Sequence, residues 1–330
     1  MIRILALLPL LLFVALGGIL LGSVPLPVGE VVPALFTRSD VAPMTATIVR
    51  QIRVPRVLTG MGTGAALALA GLLMQTVFRN PLAGPGVLGV TAGAGLGVAI
   101  VILTGVGLAI SASTGAAAIV GAGAVLLLVV LVHRAVENSV IVLVLGLLFG
   151  YAASGITTVL LSGSSADGLQ RYVQWSFGSF ALPMGWAPVA LPVLTAAIAV
   201  PLTVIAPRVD TLLLGTAYAE SLGVHARRLE RILLLTAGVL TGIATAVAGP
   251  ISFIGVAVPH VARGYLRSSR HRVLIPATVC IGATIAVLAD IIARLPGRDT
   301  TLPLNAVLAV IGVPVVLLVV LRPGNGGMRT

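Results

Sequence analysis

The sequence contains no lysine. All 20 of its basic residues are arginine, set against 9 acidic residues, and only 9% of the chain is charged. A GC-rich genome is sufficient cause, yet the bias has a chemical consequence. The phosphate loop of a nucleotide hydrolase needs G-x-x-x-x-G-K-[ST], with the lysine on the phosphates. This chain cannot carry that motif, so any ATP that powers it is hydrolysed by a partner. Cysteine is nearly absent too. Cys280 is single, which excludes an intrachain disulfide and a cysteine-based metal site, and its apolar setting suits a small buried hydrophobe. Histidine is sparse: His133, His225, His260 and His271 fall at no metal-ligand spacing. The net charge of +11 could point to nucleic acid. However, the arginines sit singly or in short clusters between apolar runs, with no basic tail or aromatic–basic patch. They read as topology signals.

Apolar residues are what the chain has. It is 58% hydrophobic over 330 residues, with a mean hydropathy of +1.16, outside the range of soluble domains. Its 39 glycines and 20 prolines fit membrane helices, which tolerate both. A span needs about 20 mainly apolar residues. Ten runs approach this: 4–22, 57–78, 87–105, 108–132, 139–162, 187–206, 231–248, 251–266, 273–293 and 303–321. The expected fold is an all-α membrane protein of about ten transmembrane helices in one integral domain. The first run is longer than a signal-peptide core and lacks an A-x-A site before Glu30, so it reads as a span. The eighth is short and interrupted by Pro250 and Pro259.

The arginines orient the chain. With the N-terminus inside, the inner segments hold Arg3, Arg79, Arg134, Arg208, Arg227, Arg228, Arg231, Arg267, Arg270, Arg272, Arg322 and Arg329. The outer ones hold Arg38, Arg50, Arg53, Arg56, Arg171, Arg294 and Arg298. Both termini are then cytoplasmic, and Trp175 and Trp186 fall at the outer interface. The stretch RQIRVPR, residues 50–56, lies outside with Arg294 and Arg298, against the general bias. Snorkelling to headgroups explains a few outer arginines; a cationic rim for an acidic partner or anionic solute explains a cluster.

One inner loop, PRVDTLLLGTAYAESLGVHARRLER at 207–231, is long and ordered in pattern. Asp210 reads as an N-cap, 211–222 has helical spacing and Gly223 is a stop signal, followed by a second short basic helix. Such an element suits a docking surface or an interfacial helix pair. Asp290 and Arg294, at i and i+4, predict a paired charge at a helix end. An acid inside a membrane is also a functional candidate by default. In the fifth run Gly146, Gly150, Ser154, Thr157 and Thr158 form a stripe, read either as helix packing or as a smooth pathway wall. GTGAALALAG at 62–71 lacks G-x-G-x-x-G and follows no strand, so it reads as close helix packing rather than nucleotide binding. FRNPLAGPGVLG at 78–89 is echoed by AGPISFIGVAVPHVAR at 248–263. The echo predicts an inverted repeat of spans two to five and seven to ten.

Three blocks carry a family resemblance. RVPRVLTGMGTGAALALAGLLMQTVFRNPLAGPGVLGVTAGAGLG, GPISFIGVAVPHVAR and ADIIARLPGRDTTLPLNAVLAVIGVPVVLL resemble the iron-siderophore, haem and cobalamin permeases of type II ABC importers, the FecCD-like family; YAESLGV is similar to that family's ATPase-contact segment. The resemblance implies a bacterial inner-membrane permease working with a second permease subunit, two ATPase subunits that carry ATP and magnesium, and a substrate-binding protein. It implies no cofactor on this chain and no nucleic acid. It carries binding-protein docking onto Arg53, Arg56 and Arg294. ATPase coupling goes to the 207–231 element, with Ala219, Leu222 and Gly223; charge adds Arg227 and Arg228. The cytoplasmic exit goes to Asn80 and Leu82, and path lining to span five, with Gly150, Ser154 and Thr157. Ser252, Ala257 and the pair Leu304–Asn305 depart mildly from the family pattern. The expected function is import of a ferric-siderophore-like chelate by alternating access. Haem or cobalamin is the alternative cargo. An ion-coupled secondary transporter using Asp290 is the rival class. A membrane enzyme lacks a nucleophile–base or metal cluster to support it.

Overall fold

The computed structural model describes residues 2–36, 42–105, 113–136, 139–181, 185, 187–294 and 301–321. Arg38, Trp186, Arg298, Arg322 and Arg329 lie outside the described residues. Among the described residues the chain is helical throughout, with no strand. A short turn, Ile2–Leu5, leads into α1, Leu7–Leu20. Next come α2, Val28–Phe36, and a helical lead, Pro43–Thr47, that widens into a π-turn, Ile48–Arg53. The π-turn runs without a break into α3, Val54–Val77. Then follow α4, Val90–Leu103; α5, Thr114–Ala135; α6, Ser139–Ser162; α7, Ala166–Ser176; and α8, Ala187–Val204. Two short helices come next, α9, Ala206–Leu212, and α10, Thr216–Ser221. The last four are α11, Ala226–Ala248; α12, Ile254–Leu266; α13, His271–Ala293; and α14, Leu304–Leu321.

Each of the ten expected spans has its helix: α1, α3, α4, α5, α6, α8, α11, α12, α13 and α14. Among the described residues, seven helical stretches are long and apolar enough to cross a bilayer. The others are α4, α14 and α12. The last has 13 residues, about 20 Å at 1.5 Å per residue, short of a hydrocarbon core of about 30 Å. Pro250 lies before α12 and Pro259 lies inside it. Proline withdraws a helical donor from the carbonyl four residues earlier, which here is Gly255. That carbonyl faces α3, where a Cβ on Gly71 would sit 1.8 Å from it. Gly71 therefore lets a helix with a freed carbonyl pack at backbone distance.

The predicted two halves are visible in lengths and packing. The helices α3 to α6 have 24, 14, 22 and 24 residues; α11 to α14 have 23, 13, 23 and 18. Each half runs long, turn, short, long, long, and the short helices follow Gly84–Pro85 and Gly249–Pro250. The packing exchanges partners symmetrically. Helix α3 packs on α13 and α12, as α11 packs on α5 and α4, and α3 and α11 pack on each other. Corresponding helices lie five spans apart, so they run in opposite directions.

Small residues set these distances. A Cβ on Gly64 would lie 2.2 Å from the Gly282 carbonyl oxygen, so α3 and α13 touch along their backbones. This is the close packing expected of GTGAALALAG. Helix α3 is buried nearly throughout and forms the axis of the molecule.

Candidate functional site

The candidate residues gather at two ends of the chain's fold, one at RQIRVPR and one at 207–231. At the first, Arg56 binds Asp290 across 234 residues of sequence: Nε and Nη2 donate to Oδ1 at 2.9 and 2.8 Å. Arg294 takes the other carboxylate oxygen, Nη2 to Oδ2 at 2.8 Å, so the predicted i,i+4 pair exists. Arg53 and Arg294 also cap α1. Arg53 Nη1 donates to the Ile19 and Leu20 carbonyls, each at 2.8 Å. Arg294 donates to the carbonyls of Leu21 at 3.2 Å and Gly18 at 3.3 Å. The last carbonyls of a helix lack partners and carry its negative end, so two guanidiniums there are well matched.

This placement changes the picture drawn from sequence. An outward rim of three arginines was expected; Arg53 and Arg294 are only 3% and 6% exposed because their donors are spent on the end of α1, on the Val24 carbonyl and, for Arg294, on Asp290. Arg56, with a side chain 14% exposed, faces outward more. It borders a cavity of about 1090 Å³ together with Asp290, Arg171, Gln174, Trp175 and Leu302. Helix α7 forms one wall of this cavity and was missed in the sequence reading. Its signal was present: Ser165 caps it by accepting from Gly168 N at 3.2 Å, Asp167 sits in the first turn, and Asp167 pairs with Arg171 at i+4.

Two of the departures from the family pattern, Ser252 and Asn305, meet at this end. Asn305 Oδ1 accepts from Ser252 N at 3.1 Å, while Asn305 Nδ2 donates to the Pro250 carbonyl at 2.6 Å and the Ser176 carbonyl at 3.2 Å. One side chain thus ties α14 to the turn before α12 and to the end of α7.

At the opposite end, the 207–231 segment differs from its expected form. A helix over 211–222 with Asp210 as its N-cap was read from spacing. The structure has two helices, broken at Gly215, whose φ of +110° ends any continuous helix. The expected second basic helix is the first turn of α11. Asp210 lies inside α9 and caps another helix: its Oδ1 accepts from His271 N, the first residue of α13, at 3.0 Å. Burial raises the Asp210 carboxyl, and hydrogen bonds from His271 more than offset this, leaving it below its ordinary value.

The other residues assigned to this element are arranged as a surface. Ala219 is fully buried, which holds α10 down, while Leu222, Gly223, Arg227 and Arg228 are exposed. Gly223 has φ +78° and open space around it, a stop in the left-handed region. Glu220, Gly223, Arg227, Arg228 and Arg231 line a hollow of about 500 Å³. Asn80 and Leu82 lie on the turn after α3 at the same end, where Asn80 Oδ1 accepts from Leu82 N at 2.9 Å. Both are exposed.

The α6 stripe divides. Gly146 and Gly150 pack against the turn at Leu88 and Gly89; a Cβ on Gly150 would lie 3.1 Å from Gly89 Cα. Thr157 is buried and donates to its own helix at Ala153 O. Of the path residues assigned to α6, only Ser154 is on the exposed face, beside Tyr151 and Thr158. Gly150 and Thr157 therefore position the helix rather than form an open wall in this structure. Among the described residues no group of three His, Cys, Asp or Glu could hold a metal.

The long apolar helices of this bundle fit a multi-pass membrane protein. The FecCD transport family matches residues 10–322, and the chain belongs to it, as a permease of the type II ABC importer class. The vitamin B12 import system permease protein BtuC of Klebsiella pneumoniae is 32% identical over 84% of this chain and 83% of its own length. The protein of that name from Escherichia coli O6:H1 is 33% identical over 86% of each. A solved metal-chelate type ABC transporter in an inward-facing conformation superposes with a TM-score of 0.81 at 27% identity, covering 97% of this chain and 98% of that one.

Proposed function

We propose that this permease admits a bulky metal chelate, with a ferric-siderophore-like chelate as the primary reading. Its partners in this reading are a second permease subunit, two ATPase subunits holding ATP and magnesium, and a substrate-binding protein. The observation that carries the proposal is the family match over almost the whole chain. The arginine bias supports an orientation with both termini cytoplasmic, in a bacterial inner membrane, and Arg56 then lies at the outer face.

The loaded binding protein docks at the outer end through Arg53, Arg56 and Arg294. Two guanidiniums share one carboxylate there and Arg53 lies beside them, which leaves an excess of positive charge that draws acidic side chains, and Arg56 is best placed for direct contact. At the inner end, Ala219, Leu222, Gly223, Arg227 and Arg228 present the ATPase contact. Closure of the ATPases shifts that element, the outer mouth opens and the chelate passes along a path that includes Ser154. Asn80 and Leu82 narrow the exit until hydrolysis resets it. No covalent chemistry falls to this chain.

Cobalamin is the second reading, favoured by the names of the two relatives. Uptake into cells lacking this chain, with and without its return on a plasmid, separates the cargoes. Radio-iron siderophores, haem and radiocobalt cobalamin are each offered. Restored iron-siderophore uptake alone supports the primary reading, and restored cobalamin uptake alone replaces it. Restored uptake that survives removal of cellular ATP and collapses with the proton gradient contradicts both and favours ion coupling.

A further inference from the structure

Three side chains on three elements meet at one buried point near the inner end. Thr76 lies in the last turn of α3, His271 begins α13 and Asp210 lies in α9. His271 Nε2 is 2.8 Å from Thr76 Oγ1, and His271 Nδ1 is 2.6 Å from Asp210 Oδ1. Thr76 and His271 are each 1% exposed. An ionised carboxylate only accepts, so Nδ1 carries a proton. Thr76 Oγ1 also reaches the Leu72 carbonyl at 2.8 Å. Its hydroxyl can thus donate to Leu72 and accept from Nε2, or donate to Nε2, and the chain stays bonded either way.

The order Thr–His–Asp is that of a nucleophilic triad. Here the threonine and histidine are sealed in helix packing, and neither residue lines either cavity, so no substrate reaches them. The role must be mechanical. Helix α9 follows α8 through Ile205 and packs on α10, the helix that presents Leu222 and Gly223. Helices α3 and α13 run antiparallel in backbone contact at Gly64 and Gly282. At their far end they are fastened again by Arg56 and Asp290. Thr76 follows Arg56 by 20 positions, about 30 Å of helix, the thickness of a hydrocarbon core. One helix pair is therefore tied at the arginine end to the docking cluster and at the other end to α9.

We propose that the Thr76–His271–Asp210 chain is the joint between the 207–231 element and the α3–α13 pair, and that this pair carries motion between the ATPase and the docked binding protein. The proposal rests on reading 207–231 as the ATPase contact. His271 acts as a positioning residue. With the joint intact, displacement of α9 moves both central helices; with it broken, α9 shifts alone and the two faces lose their mutual influence.

The test uses the assembled transporter in nanodiscs with its ATPases. ATP hydrolysis is measured with and without loaded binding protein for Asp210→Ala, His271→Ala, their combination, and Asp210→Asn, which keeps an acceptor. Measured well below each variant's own melting temperature, the alanine variants should reduce stimulation about tenfold, with binding-protein affinity held. Their effects should not add, because they break one chain, and Asp210→Asn should restore stimulation. If the alanine variants do not assemble, His271→Gln, which reaches Thr76 but not Asp210, is read in the same way. Wild-type stimulation in these variants, or a loss that merely follows melting temperature, overturns the proposal. Leu222→Arg is the control for the underlying reading. If it abolishes stimulation while the joint variants do not, the joint alone is refuted. If it too leaves stimulation intact, the assignment of the ATPase contact falls as well.

Discussion

Arg56 and Asp290 hold α3 to α13 at one end of the molecule with a bidentate pair, Nε and Nη2 of the arginine both reaching Oδ1 within 2.9 Å. Asp290 serves a second arginine, Arg294, with its other oxygen. One buried carboxylate therefore holds two guanidiniums together. Removing it leaves cations buried without an anion, the costly half of breaking a buried pair. Asp290→Ala should destabilise the protein by about 3–5 kcal/mol, seen as a lower melting temperature in nanodiscs. Arg56→Gln should cost less, since Asp290 keeps Arg294. Equal losses would show that the carboxylate is not the centre of the cluster.

Docking should depend on Arg56 more than on its neighbours. Arg56→Glu is expected to weaken binding of the loaded substrate-binding protein and to flatten its salt dependence, because screening acts on the charges removed. Binding measured across a salt series checks this. Unchanged affinity would mean that the cluster only holds α1, α3 and α13 together.

Gly71 should tolerate no side chain. A Cβ there meets the Gly255 carbonyl, so Gly71→Ala forces α3 and α12 apart, at about 1–3 kcal/mol. Gly123→Ala is the matched control, since nothing lies within 4 Å of its Cβ position. Thermal melts should separate the two; equal melting temperatures would contradict the close approach.

In the 207–231 element, Gly223→Arg should abolish transport while ATP hydrolysis by the partner persists. Its φ of +78° also strains an arginine backbone. Gly223→Asn, which accepts that conformation, separates backbone strain from bulk. Transport that survives Gly223→Arg would remove Gly223 from the contact.

Asp210 makes stability depend on acid. Its folded pKa lies below the ordinary 3.8, so the contact contributes fully above that value and is lost as pH falls through the folded pKa. Asp210→Asn cannot titrate and should unfold with a shallower acid limb in the pH range below 3.8. Superimposable acid profiles would show that the bond to His271 contributes nothing.

Hydropathy and proline–glycine punctuation were enough to place a helix at each of the ten runs, because a bilayer leaves a backbone little choice but helix. Motif echo, with Gly84–Pro85 against Gly249–Pro250, was enough to predict two halves. Partner choice was not legible. The reading of Asp210 as the N-cap of its own helix fails: it lies inside α9, and the N–H it accepts from belongs to His271, 61 residues away. Arg53 and Arg294 were seen as a cluster, while their bonds to α1 carbonyls leave no trace in side-chain pattern. Gly150 and Thr157 belonged to a real stripe, but a helical period cannot tell a packed face from a lining one. Helix α7 was overlooked because its polar face dilutes the apolar signal.

The most direct test of the account is the composition of the complex, measured by native mass spectrometry of the tagged chain taken from its own membranes in a mild detergent. The expected species contains two permease subunits and two P-loop ATPase subunits, and a loaded binding protein added to it should stimulate ATP hydrolysis. A chain that stays alone under conditions preserving such complexes, and that moves solute down a proton gradient, would contradict the account and make Asp290 the residue to titrate.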